Sequence, residues 1–507
     1  MAKGAGIAVI GLFIGNLIAY LIRVFIARTM GPEVFGLLSM GIAIVNVLII
    51  FSLIGIDTGI TRYIAFYKGL KAFGKIKGAI DSSIKITIPL SIIISVLLFI
   101  FSDSISVFFF KPELAFVLKV FSFFIPFLTM THISYSIFLG FKLTKYKVLI
   151  WDLCKNLTSF IFIILLFYFG CGFWGVTFGF MVGFLFSGIL GVYLLKKKIN
   201  PLFKGTKTVK SGRELIRFSW PLFFTAAFLL FIKWTDVLML GYFDTAVNVG
   251  IYSAILNLGI FLTFLTQAFI FIFTPMISEL YSEKKLKEIK NLYRTATRWI
   301  FTMVFPIFLL MICFPDEIIN IFFGVEFIPG YKALVILSFG YLIASTSRLS
   351  FFMITAIGET KVNLNISLIT LITNVVLNIL LIPIYGMFGA AIAMTVALII
   401  NSALSLIYVN RKMKMQPYEK KLLIPFISAL LSVGVTYIII NLLFVSITIL
   451  SLLIGFVIFI PMYVLYIVIY GGLNKEDIVI LKALEKKTGI NLKKLRWFYE
   501  RFCRKKH

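Results

Sequence analysis

The chain has 507 residues, of which 61% are hydrophobic and 14% charged, with a formal net charge of +28; soluble domains run at roughly 45–50% and 25%. A water-soluble globule cannot bury so much apolar surface, and apolar runs longer than the ~20 residues that cross a bilayer point to an all-α polytopic membrane protein. An outer-membrane barrel is excluded, since its strands alternate apolar and polar residues over ~10 positions, and nucleic acid is not an expected partner, since the basic residues lie in short turns between apolar runs.

In chain order, fourteen spans are expected near residues 5–27, 34–56, 84–101, 114–139, 148–170, 172–195, 217–240, 248–273, 299–315, 331–354, 364–385, 387–409, 421–443 and 446–470. The first is too long for the apolar stretch of a signal peptide and is expected to stay as a span. What remains is short turns, a linker over 199–216 and a basic tail over 471–507, in which Ile478, Leu481 and Leu484 have the spacing of an amphipathic surface helix. With the N-terminus placed in the cytoplasm, forty of the 49 Lys and Arg residues fall on the cytoplasmic side, and outside there are only Arg28 and Lys111. That bias places both termini in the cytoplasm of a cell-membrane protein, with the basic inner face against anionic lipids.

Cys154, Cys171, Cys313 and Cys503 lack any metal-ligand or CxxC spacing, and His132 and His507 are the only histidines. No metal site or cofactor is expected.

The chain also repeats itself. Gly36 and Ser39 match Gly250 and Ser253, Tyr67 matches Tyr281, Gly172 and Gly175 match Gly386 and Gly389, and Lys197 and Lys198 match Arg411 and Lys412, every pair 214 positions apart. Residues 1–198 and 217–412 are therefore expected to form two six-helix lobes of like orientation about a pseudo-twofold axis along the membrane normal, with 413–470 as two added spans. Two such lobes leave a central cleft suited to alternating access.

The stretch Arg28-Thr-Met-Gly-Pro-Glu-Val-Phe-Gly36 resembles the signature between spans 1 and 2 of the oligosaccharide flippases, the polysaccharide-export members of the multidrug/oligosaccharidyl-lipid/polysaccharide superfamily. Phe218-Ser-Trp-Pro221, Thr235-Asp-Val-Leu-Met-Leu-Gly241 and Gly386-Met-Phe-Gly-Ala-Ala391 resemble that family too. The resemblance covers the whole chain and implies a cargo of polyprenyl-diphosphate-linked oligosaccharide. A cation-coupled multidrug exporter and a lipid II flippase are the alternative readings.

Charges inside spans cost roughly 2.5–3.5 kcal/mol each. Arg23, near the outer end of span 1, either snorkels to the interface or lines the cleft. Lys233 lies deeper in span 7 and is assigned to the cleft; Asp236, three positions on, either neutralises it or joins the site. Arg62, with Asp57 beside it, and Arg348 have two readings, a cytoplasmic entrance or interfacial anchoring. Lys85, Lys119 and Lys155 are assigned to snorkelling. Gly11 and Gly15 read as close-packing positions or as a bend that lets span 1 gate. A cleft whose span 1 carries Arg23 and no carboxylate suits an anionic head group, since Arg offers a fork matched to phosphate oxygens and Lys a point charge. An enzyme is not expected: the outer acids Glu33, Asp103, Asp244 and Asp316/Glu317 sit on short segments with no paired carboxylates for acid/base work, and there is no GxxxxGK[ST] loop for ATP. Na⁺ or H⁺ coupling through Asp57 or Asp236 stays open, and the protein is expected to act as a monomer.

Overall fold

The computed structural model describes residues 2–443 and 449–469. The basic tail, with Ile478, Leu481 and Leu484, lies outside the described residues. Within a bilayer each backbone N–H and C=O must find its partner inside the protein, which a single apolar segment achieves only as a helix. Among the described residues there are accordingly helices and turns and no strand. The order is α1 (Ala2–Leu53), α2 (Ile56–Gly69), α3 (Phe73–Phe108), α4 (Glu113–Gly140), α5 (Thr144–Lys147), a π-helical segment over Val148–Cys154, α6 (Lys155–Tyr168), α7 (Gly172–Leu194) and α8 (Gly212–Phe243). Then come α9 (Ala246–Ser282), α10 (Leu286–Cys313), α11 (Pro315–Phe322), α12 (Tyr331–Ala356), α13 (Thr360–Tyr385), α14 (Met387–Met413), α15 (Leu423–Leu443) and α16 (Ile449–Ile469).

Twelve of the described helical stretches are long and apolar enough to cross a membrane, against the fourteen spans expected, for two reasons. Expected spans 1 and 2 are the two arms of α1, which is interrupted only at Gly31, where φ is 75° and ψ 178°. Glycine adopts that conformation without steric cost, and Pro32, with fixed φ and no N–H to lose, restarts the helix in the next residue. The last expected span falls on α16, an apolar helix of 21 residues that is not among the twelve.

By packing the chain divides into two compact units, Lys3–Ser253 and the residues from Ala254 onward. In the first, α4 packs on α3 and α7, α6 on α7, and α2 on both α4 and α8, around a core that includes Ile22, Met40, Ile56, Phe121 and Phe138. In the second, α14 packs on α12 and α13, α10 on α12 and α15, and α15 on α16, around Tyr293, Phe323, Phe327 and Leu337.

Three contacts within the first unit fix α8 and the start of α9. A Cβ at Gly36 would overlap the Ala246 carbonyl, and a Cβ at Gly250 would overlap the Pro32 carbonyl. Pro32 and Ala246 are themselves 214 apart, so the two contacts exchange under the repeat offset. Beside them Lys111 is buried and its Nζ donates to the carbonyls of Gly241 (2.5 Å), Asp244 (2.8 Å) and Phe109 (3.1 Å). One of the two residues that depart from the charge bias thus closes the C-terminal end of α8, where the helix dipole favours a cation. At the other end of α8, Glu214 accepts hydrogen bonds from the hydroxyls of Tyr67 and Tyr63 on α2, with the Lys75 ammonium 3.6 Å away.

Candidate functional site

The site begins with the π-helical segment. The Lys155 N–H bonds back five residues to the Ile150 carbonyl, a pattern rare in proteins and frequent at functional positions. The first arm of α1 packs directly on this segment through its glycines: a Cβ at Gly15 would stand 2.5 Å from the Asp152 carbonyl oxygen, and one at Gly11 would overlap the Val148 side chain. Gly11 and Gly15 are therefore close-packing positions. Asn156 locks the contact, its Nδ2 donating to the Gly15 carbonyl at 2.7 Å and to the Asp152 carbonyl at 2.8 Å.

This arrangement brings Lys155 into the field of Arg23 on α1 and Lys233 on α8, and Lys233 feels Arg23 in turn. Arg23 stands eight residues before the break at Gly31, Lys233 ten before the end of α8, and Lys155 eight after Lys147. At 1.5 Å per residue these are depths of roughly 12–15 Å, from one face for the first two and from the other for Lys155, in a hydrocarbon core ~30 Å thick. All three converge near mid-depth. Because the first arm of α1 runs on to Gly31, Arg23 is deeper than its expected position four residues from a span end, and snorkelling no longer accounts for it. Snorkelling also fails for Lys155, which faces inward with its Nζ over the rings of Trp151 (4.3 Å) and Phe184 (5.5 Å).

Among the described residues none of these three cations makes a hydrogen bond or ion pair with the protein. The buried carboxylate nearest to Lys155, Asp152, is paired with Lys147 at 2.8 Å. Nor does Asp236 neutralise Lys233: Asp236 is buried and accepts a hydrogen bond from the Tyr252 hydroxyl at 2.8 Å, while Lys233 lies 5.0 Å from the ring of Trp234. The Trp234 indole N–H is itself buried with no partner.

Arg62 and Lys119 make other contacts within the first unit, and Arg348 lies in the second. Arg62, on α2, is exposed and packs over the Phe218 ring at 5.5 Å. Arg348 belongs to the second unit, on α12, with its guanidinium 5.9 Å from the Phe352 ring and its Nε buried without a partner. Lys119 forms an ion pair with Asp103 at 2.8 Å at an exposed position. Sequence reasoning missed Lys155 because span 148–170 reads as an ordinary α-helix, in which a lysine two turns from the end snorkels. The signal available was the run Trp151-Asp-Leu-Cys-Lys155-Asn156, unusually polar for a span interior.

Fold and site together define a polytopic membrane protein whose first unit holds three cations, Arg23, Lys155 and Lys233, near mid-depth. The chain belongs to the family described as "Polysaccharide biosynthesis protein", whose family model matches residues 1–281, and the model described as "MatE" matches residues 221–380. It is similar to the uncharacterized membrane protein MJ1068 of Methanocaldococcus jannaschii, 26% identical over 444 residues that cover 83% of this chain and 86% of that protein. It is also similar to a putative O-antigen transporter of Shigella flexneri, 24% identical over 419 residues covering 78% and 94% of the two chains. Among solved structures the fold matches lipid II flippase MurJ in an inward closed conformation, with a TM-score of 0.72 at 18% identity over 91% of this chain and 98% of that one. The superfamily resemblance of the Arg28 to Gly36 stretch is thereby upheld.

Proposed function

We propose that this protein is a membrane transporter that moves a polyprenyl-diphosphate-linked oligosaccharide from the cytoplasmic to the outer leaflet by alternating access, for glycan assembly. The observation that carries this reading is the set of three mid-depth cations, Arg23, Lys155 and Lys233, none of them bound directly by a carboxylate. A charge in the membrane body is costly, and three that repel one another are retained where an anionic cargo neutralises them. The Arg23 guanidinium is the fork for one phosphate, with Lys155 and Lys233 as point charges for the diphosphate. Arg62 and Arg348 meet the cargo at the cytoplasmic entrance. Asp236 and Asp57 are the candidates for coupling to Na⁺ or H⁺. Family membership and the O-antigen transporter relative support a glycan cargo, and the charge bias supports cytoplasmic termini in a cell-membrane protein that transports and does not catalyse.

A multidrug reading is favoured by the MatE match over 221–380, but a cationic cluster repels the cationic cargo that such a reading implies. A lipid II cargo shares the diphosphate and differs only in its sugar and peptide. The test is flipping of a lipid-linked oligosaccharide in reconstituted vesicles, with and without an imposed ion gradient. Loss of one charge-assisted contact costs ~1.5–3 kcal/mol, so Arg23→Ala or Lys233→Ala should slow transport about tenfold or more. Arg23→Lys, which keeps charge but not the fork, should fall between. Undiminished transport in both alanine variants, at equal amounts of folded protein, would sink the site.

A further inference from the structure

Next to Lys155 three aromatic side chains with polar tips come together within the first unit. His132 Nδ1 and the Tyr135 hydroxyl, both on α4, lie 2.9 Å apart. Trp151, in the π-helical segment, meets His132 edge-on at 4.8 Å and Tyr135 edge-on at 5.4 Å between ring centroids. All three are half-buried. Their ring contacts account for the packing but not for their hydrogen-bonding groups: among the described residues neither the Trp151 indole N–H nor the second nitrogen of His132 has a protein partner, and neither is sealed off. Phenylalanine would pack as well at each position and would spare the desolvation of a polar group in the membrane body.

We propose that His132, Tyr135 and Trp151 form a saccharide subsite that binds the sugar attached directly to the diphosphate. This inference rests on the flippase reading and adds to it where the glycan begins. The position follows from Lys155, whose ammonium stands over Trp151 and acts on His132 electrostatically, so a phosphate held by Lys155 brings the first sugar against these rings. The chemistry follows from the groups. Sugar hydroxyls both donate and accept, as do the Tyr135 hydroxyl and the His132 ring, while the indole N–H donates only. Polarised sugar C–H groups suit the electron-rich faces of aromatic rings. The three rings carry no carboxylate of their own, with Asp57 and Asp152 acting on Tyr135 only electrostatically, so the cluster suits a neutral polyhydroxyl group and leaves phosphate recognition to Arg23, Lys155 and Lys233.

The experiment compares binding of three probes to the full chain in lipid nanodiscs: a bare polyprenyl diphosphate, and the same lipid bearing one hexose or one N-acetylhexosamine. Wild-type protein should bind at least one sugar-bearing lipid more tightly than the bare one. Trp151→Phe, His132→Phe and Tyr135→Phe leave an aromatic ring at each position and remove its hydrogen-bonding group, and each should reduce that sugar-dependent gain by about fivefold, the size of one neutral hydrogen bond, leaving bare-lipid affinity unchanged. A gain untouched by all three variants, equal losses for all three lipids, or no gain in the wild type overturns the subsite while the cationic site stands. Wild-type protein that binds none of the lipids overturns the flippase reading and the subsite with it.

Discussion

Lys155→Met should move stability and ligand affinity in opposite directions. Methionine keeps the length and flexibility of the side chain and removes its charge. A lysine inside a span costs ~2.5–3.5 kcal/mol, of which its position over the Trp151 ring returns ~0.5–2 kcal/mol. Repulsion from Arg23 and Lys233 adds to the remainder, since no carboxylate binds Lys155 directly. Without ligand, the variant should therefore be more stable by on the order of 1–2 kcal/mol, which raises the unfolding midpoint by roughly 2–8 °C in a unit of this size. Its affinity for a polyprenyl diphosphate should meanwhile fall about tenfold or more, since a charge-assisted contact is worth ~1.5–3 kcal/mol. Thermal unfolding followed by tryptophan fluorescence, with and without the lipid, measures both. A lower midpoint with unchanged affinity would show that Lys155 is a packing residue, and the argument from uncompensated charge would fail with it.

Lys111→Met removes three hydrogen bonds from a buried ammonium and strands the carbonyls of Gly241 and Asp244, so the protein should lose on the order of 2–4 kcal/mol, read as a lower denaturation midpoint; an unchanged midpoint would mean the end of α8 does not depend on this lysine. At the other end of α8, hydrogen bonds from Tyr67 and Tyr63, together with the Lys75 charge, hold the Glu214 carboxyl below its ordinary range. A carboxyl so lowered contributes stability above its unfolded value and loses it as pH falls through the lower folded value, so below about pH 4 the wild type should lose modestly more stability than Glu214→Gln. Superimposable pH profiles would show that the tyrosine–carboxylate link carries no weight.

Much of the fold was legible because a bilayer leaves a long apolar segment one option. The Gly31-Pro32 punctuation marked the turn between the first two spans, and Gly11 and Gly15 could be read as packing positions from their lack of side chains alone. The site was legible in part: Arg23 and Lys233 stand out because charge is rare in apolar runs. What sequence could not reveal is depth and pairing. The four-residue distance assigned to Arg23 assumed that the helix ends where polarity begins, whereas it continues to Gly31. The spacing of Lys233 and Asp236 fits a helical ion pair, yet Asp236 turns to Tyr252, a residue sixteen positions away. Lys155 was assigned to the interface because a π turn has no composition of its own; it shows only in the backbone.

That π turn also makes the length of the chain a determinant of what the site can hold. Wound as an ordinary α-helix with the same residues, the segment would rotate all that follows by about 100° and push it on by about 1.5 Å. Lys155 would leave the company of Arg23 and Lys233, Asn156 would lose the Gly15 carbonyl, and Ser159 would lose its 2.8 Å bond to the Phe180 carbonyl on α7. The extra residue taken up by the π turn thus keeps one of three positive charges in the company of the other two, a matter of register with the effect of a change in composition.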